Sequence, residues 1–288
     1  MAEQEQALSE KEQLVQRLIE ILVRFIPRLQ SQVTDFSKDY FAQRVLLRGL
    51  MNMHSVQNQL PQEFFLMQDK LLQLELKEKT IVDAQVLKPC KLNSNISLHR
   101  GDITCLKADA IVNYANSNLL GCFKAGHNCV DNCIHSAAGL QLRFECFELL
   151  GRKNIDVPAG MAVITRAYNL PCKFVIHAVG PKIAFEPTKD DEQKLKDCYL
   201  NSLKLARSNG IKTLAFSCIS SGIYAIPHMK AATIAVNTVN DDLKAHGNDL
   251  MVLFDVMTDG DFNAYDHNLN PKEQSTGELH PFFNLNLF

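Results

Sequence analysis

The chain has 288 residues, 46% of them hydrophobic and 22% charged, with a formal net charge of −2. That balance describes one large well-cored domain, or a domain with an extension, and gives no electrostatic case for binding a nucleic-acid backbone. The 9 cysteines, an odd number, read as reduced thiols of a cytoplasmic protein rather than as a disulfide framework.

The first residues, "MAEQEQALSEKEQ", are polar and acidic and do not read as a secretory signal. The apolar stretch "LIEILVRFIP" is interrupted by Glu20 and Arg24 and is too short to span a bilayer, so no membrane partner is expected. From about residue 8 to 80 the pattern is helical. Leu14, Leu18, Leu22 and Phe25, with Val15, Ile19, Val23 and Ile26, form one broad apolar face, continued by "YFAQRVLLRGLMNM" and "FFLMQDKLLQLELKEK". A face that wide must pack on something, so residues 1–80 read as an N-terminal helical extension docked on the rest. An oligomerisation arm is the alternative.

From about residue 96 the period changes. "ISLHRGDIT" alternates like a strand entering a turn, and "ADAIVNYAN" reads as a short buried strand. "DNCIHSAAGLQLRFECFELLG" reads as one helix, with Asp131 suited to its start and Gly151 to its end. "GMAVITRAYN" and "CKFVIHAVGP" are strands, and "TKDDEQKLKDCYLNSLKLARSNG" is a helix. "KTLAFSCIS" is a strand, "HMKAATIAVNTVNDDLKAHG" a helix, and "DLMVLFDVM" the last strand. The alternation predicts an α/β/α three-layer sandwich around a mixed, largely parallel sheet. The segment "NLNPKEQSTGELH" is polar and reads as a surface loop.

The segment "GCFKAGHNC" concentrates soft ligands. Cys122, His127 and Cys129 have C-x4-H-x-C spacing, and Gly121 and Gly126 let the backbone bend around an ion. Zinc takes Cys and His ligands tetrahedrally, and catalytic sites use three protein ligands with an open fourth position. A fourth ligand would come from Cys133, a distant residue or the substrate. The alternative is a set of buried cysteines beside an incidental histidine. His135 and His177 sit in apolar segments and read as satisfied core histidines, and Cys133, one turn into the helix, as core or as a residue backing the ligands.

The ordered run "SLHRGDITCLKADAIVNYANSNLLG…VDNCIHSAAG", followed by "KFVIHAVGP" and "SCISSGIYAIP", resembles the macrodomain family over roughly residues 81 to 265. The chain departs from the common pattern where "GCFKAGHNC" replaces a glycine run. With "AGLQLRFEC" and the helical extension, that departure resembles the zinc-dependent, sirtuin-linked macrodomains. The resemblance implies an ADP-ribose-binding fold over residues 81–288 with a zinc loop at 121–133, and one Zn2+ per chain on Cys122, His127 and Cys129. It implies hydrolysis of protein-linked mono-ADP-ribose, preferably an ester on an acidic side chain. Possible partners on the same grounds are a sirtuin-type transferase and a lipoyl-carrier-like protein.

Asp131 matches the family's catalytic acid, and Asn116 the residue that holds the distal ribose. Asp102, with Ile103 beside it, matches the adenine contact. Asn113 suits ribose hydroxyls, because an amide both donates and accepts. Ser220, Ser221, Gly222, Ile223 and Tyr224 match the second phosphate loop, although Ser221 stands where threonine is common and Ala225 where glycine is common. For Asp102 and Asp131 the plainer readings are a turn cap and a helix N-cap. A non-catalytic ADP-ribose reader with a structural zinc is the rival function.

Overall fold

Periodicity and capping chemistry set the helical layer. Helix α1 (Glu10–Val23) starts at a capping box, in which Ser9 accepts from the Glu12 amide and Glu12 accepts from the Ser9 amide. Helices α2 (Tyr40–Met53) and α3 (Gln62–Lys77) follow, the first capped by Asp39. Their apolar faces meet in one cluster that includes Leu18, Leu22, Leu47, Leu50, Phe64 and Leu71. The layer is therefore docked on the chain's own core, with Leu140 of the following domain joining its cluster. The computed structural model describes residues 8–26, 29, 30, 33, 36–153, 155–183, 185–219 and 226–271.

The core is built on a six-stranded sheet of β2 (Ile96–Arg100), β4 (Ala110–Tyr114), β5 (Ala162–Arg166), β6 (Phe174–Ala178), β7 (Thr213–Ser217) and β8 (Met251–Val256), in the order β2-β8-β7-β4-β6-β5. Its pairs are parallel except β5 with β6 at one edge. The central strands read as continuous apolar runs because both faces are buried. Val112, Ile176, Leu214 and Phe254 face one cluster, while Ile111, Val175, Ala215 and Leu253 face the other. Helices α6 (Lys189–Ser208), α7 (His228–Ala245) and α8 (Asp259–Leu269) cover the first face. Helices α4 (Val130–Ala138) and α5 (Leu140–Leu149) cover the second. This is the expected macrodomain-like α/β fold.

Three local readings change. The segment 130–149 is two helices rather than one, broken at Gly139 with φ +97°. The left-handed turn needs glycine, and a Cβ at Gly139 would lie 2.5 Å from Gln68 Nε2, so a side chain there would displace that amide. Cys129, not Asp131, caps α4, and Asp131 lies in its first turn. Strands β1 (Val82–Asp83) and β3 (Leu106–Lys107) form a small parallel pair, and α8 follows β8; neither short polar element carries a clear period. Among the described residues no helix is long and apolar enough to cross a membrane.

Candidate active site and ligand loop

Parallel strands place their carboxyl ends on one side, where ligands bind in open α/β sheets. The residues following β4 run from Ala115 through Asn116 into the loop 121–129, which returns to the start of α4. The sequence-predicted residues of this stretch are brought together. Asp131 is 4% exposed, with Oδ1 accepting from Asn113 Nδ2 at 2.8 Å and Oδ2 from Asn116 Nδ2 at 3.0 Å. Burial raises its carboxyl to about 6, against the lowering pull of Asn113, the Arg143 charge and Asn116. Asn113 lies at the buried end of β4, and its Oδ1 has no hydrogen-bond partner among the described residues.

Beneath Asp131 lie two buried histidines. His177 Nδ1 receives Asn113 Nδ2 at 3.2 Å, which leaves Nε2 as the protonated nitrogen, 2.9 Å from Thr165 Oγ1. Burial lowers His177 to about 3, so the ring is neutral. His135 is the exception to the expectation of satisfied histidines, since neither ring nitrogen has a partner among the described residues. Its Nε2 is 3.6 Å from Asp131 Oδ1. Burial first, then the neighbouring His177 and Arg143, holds that ring neutral, so the contact is not an ion pair.

The ligand loop closes on itself. Cys122 Sγ, His127 and Cys129 Sγ offer donor atoms all within 4.8 Å of one another, each residue half-buried. Cys122 Sγ and His127 Nδ1 are 3.6 Å apart. A tetrahedral zinc with Zn–S of about 2.3 Å and Zn–N of about 2.05 Å requires an S···N edge of about 3.6 Å. The donor set fits zinc in type, number and span. Burial pushes the Cys129 thiol up to about 12, with the Cys122 sulfur beside it adding to the effect, so a cation is what would hold Cys129 as a thiolate. Gly121 has φ +76°, and a Cβ there would meet the His135 ring at 2.8 Å. A second soft group, His135, Cys146 and His177, is wholly buried.

Asp102 and Ile103 stand at the end of β2. Asp102 Oδ1 accepts from the Thr104 amide at 2.9 Å and from Thr104 Oγ1 at 2.7 Å, the turn-cap geometry. Its Oδ2 meets only the weak Cys105 thiol donor, at 3.6 Å. The Ile103 side chain is part of the core. Asp102 also lines a cavity of about 170 Å³ between the helical layer and α4, with Arg44, Arg48, Lys79 and Ser136. Ser220, Ser221, Gly222, Ile223 and Tyr224 lie outside the described residues.

Four residues of the site had not been singled out. Arg143 is 2% exposed, donates from Nη1 to the carbonyls of Met51, Asn52 and His54, and stacks 4.4 Å from the Phe123 ring centroid. Burial lowers it to about 10, which leaves it charged at neutral pH beside Asp131 and Cys122. A lone arginine in the apolar run "LQLRFECF" was its visible signal. Arg48 and Asn52 make long-range polar contacts to the loop, for which the sequence carries no period, and Asn132 reaches it from the first turn of α4.

The family model described as "Macro domain" matches residues 112–235. A "Protein-ADP-ribose hydrolase" of Treponema medium is 43% identical over 252 residues, covering 86% of this chain and 95% of that protein. A protein of the same name from Staphylococcus aureus (strain MSSA476) is 45% identical over 228 residues, covering 78% of this chain and 84% of its own. Among solved structures, the Trypanosoma brucei macrodomain in complex with ADP-ribose aligns with a TM-score of 0.58 at 28% identity, covering 73% of this chain and 91% of that one.

Proposed function

Because the chain belongs to the macro domain family and is a hydrolase, we propose that it cleaves ADP-ribose from modified proteins, using one zinc ion held by Cys122, His127 and Cys129. One observation carries this reading. The start of α4 brings together a buried carboxylate, two amides that hold it, and a three-donor soft-ligand cluster. The names of the relatives and the ADP-ribose complex of the Trypanosoma brucei structure supply the substrate class.

The reaction breaks the bond between C1″ of the distal ribose and the side-chain oxygen. Water adds its hydroxyl to C1″, and its proton leaves with the released side chain. Asn116 holds a ribose hydroxyl while its Nδ2 keeps Asp131 in place. Asn113, which the same reading assigns to the ribose site, is buried beneath it and holds Asp131 Oδ1 through its Nδ2. Asp131, ionised at neutral pH, orients the attacking water, takes up its proton and passes it on to the released side chain. Zinc, when bound, supplies positive charge and orientation at the ribose hydroxyls. Asp102 offers Oδ2 to the adenine amino group.

The same reading assigns the diphosphate to the loop of Ser220, Ser221, Gly222, Ile223 and Tyr224, and an ester on an acidic side chain as the linkage. A sirtuin-type transferase and a lipoyl-carrier-like protein are its partners, in the cytoplasm, where the nine free cysteines stay reduced. The experiment is release of ADP-ribose from an ADP-ribosylated protein, with zinc measured before and after chelation. About one zinc per chain, with turnover lost on removal while the fold persists, supports the reading. Turnover that survives complete chelation sinks the catalytic role of zinc. Asp131→Asn is expected to slow turnover roughly 10²- to 10⁴-fold, and a variant equal to the wild type would remove Asp131 from the mechanism.

A further inference from the structure

The loop 121–129 is irregular, so its backbone groups need partners from elsewhere. Two come from a helix 74 and 79 positions earlier in the chain. The Gly126 amide donates to Asn52 Oδ1 at 3.0 Å, and Arg48 Nη2 donates to the His127 carbonyl at 3.0 Å. The remaining support comes through Asn132, whose Nδ2 donates to the carbonyls of Cys122 at 3.3 Å and Lys124 at 3.1 Å. Asn132 is itself set by α2. Its Oδ1 accepts from Arg48 Nη2 at 2.9 Å and from Ser136 Oγ at 3.1 Å, and Ser136 in turn accepts from Asn52 Nδ2 at 3.0 Å.

Arg48, Asn132, Ser136 and Asn52 thus form one hydrogen-bonded chain that grips the loop at 122, 124, 126 and 127. The helix also approaches closely, since a Cβ at Gly49 would touch Ala125 Cβ at 3.5 Å. Arg143 fastens the far end of α2 through the carbonyls of Met51, Asn52 and the capping residue His54. Apolar contacts would dock a helix in any nearby register. Directional bonds to the backbone of Cys122, Lys124, Gly126 and His127 hold one loop shape.

We propose that Asn52 and Arg48 are positioning residues for the metal centre, which makes the helical layer a working part of the site. This inference rests on the reading of Cys122, His127 and Cys129 as zinc ligands. Groups that hold metal ligands in place typically account for roughly 10- to 100-fold in metal affinity.

The test uses the full chain and its Asn52→Ala, Arg48→Met and Arg48→Lys variants. Zinc affinity is measured by competition with a chromophoric chelator, and amide hydrogen exchange is followed across the protein. The expected result is zinc binding weakened about tenfold or more in Asn52→Ala and Arg48→Met, with faster exchange at Gly126. Exchange in α1, α3 and the sheet stays as in the wild type, and Arg48→Lys recovers part of the affinity. If Asn52→Ala fails to fold, Arg48→Met, at a half-buried position, decides alone. A wild type that binds zinc, with variants within twofold of it in affinity and loop exchange, overturns this inference and leaves the metal reading standing. A wild type that takes up no zinc overturns both.

Discussion

Inside the helical layer, Leu18, Leu22, Leu47, Leu50 and Phe64 belong to one apolar cluster. Where the same helices meet the sheet domain, Leu140 and Phe144 extend that cluster, and amides, a carboxylate and a guanidinium are added to it. Gln68 Oε1 accepts from the Leu140 amide at 2.9 Å, Asp69 accepts from Asn169 at 2.7 Å, and Gln73 donates to Asn169. Arg143 crosses the same seam. Apolar burial is non-directional and supplies most of the stability. A satisfied buried polar network adds a single register. The layer is held together by the first and aimed at the ligand loop by the second.

The comparison breaks most visibly in the interior. Leu50→Ala should cost about 2–5 kcal/mol in urea unfolding while the folded fraction keeps its turnover. A large loss of turnover per folded molecule would mean that interior and seam are not separable. The sheet has a polar exception of its own at the ends of β2 and β8, where Asp255 Oδ1 lies 2.7 Å from His99 Nδ1. Burial raises Asp255 from 3.8 to about 6, with Asp102 also raising it and His99 opposing. The folded state therefore holds this proton more tightly than the unfolded chain. Its contribution to stability falls as pH rises from 3.8 to about 6 and levels off above. The stability difference between Asp255→Asn and wild type should swing by roughly 3 kcal/mol in favour of the variant over that window. A difference that stays flat with pH removes the buried charge from the account.

At the seam, Gln68→Ala leaves the Leu140 amide without its partner and should cost about 1–3 kcal/mol. The check is faster exchange at the first turn of α5 with the layer interior unchanged. The smallest effect is expected at the exposed pair of Arg17 and Glu20, where Arg17→Ala should leave the melting temperature within error.

Most of the architecture could be read before any coordinate was known, for a physical reason. Strands buried on both faces are uninterrupted apolar runs, and helices over a core repeat every three to four residues. Gly139 was harder, because a lone glycine inside a helical pattern is ordinary unless something approaches it, and Gln68 comes from a distant helix. In the site, Cys122, His127, Cys129, Asn116 and Asp131 were legible because neighbours in sequence became neighbours in space. Asn52 and Arg48 were not, because their partners lie far away along the chain and polar contacts of that kind leave no period; Arg143 showed only as a lone charge in an apolar run.

The pairing of β2 with β8 joins residues such as His99 and Asp255 that are 156 positions apart in the chain. Closing so long a loop is slow, and the contact order of this edge is high. During synthesis β2 emerges early, and β8, its sheet neighbour, is made only after β7. Until then a strand carrying Ile96 and Leu98 stands with an open edge, the state in which growing chains pair wrongly or aggregate. The turn that presents Asp102 is thus among the first parts of the site to be translated and among the last to be locked.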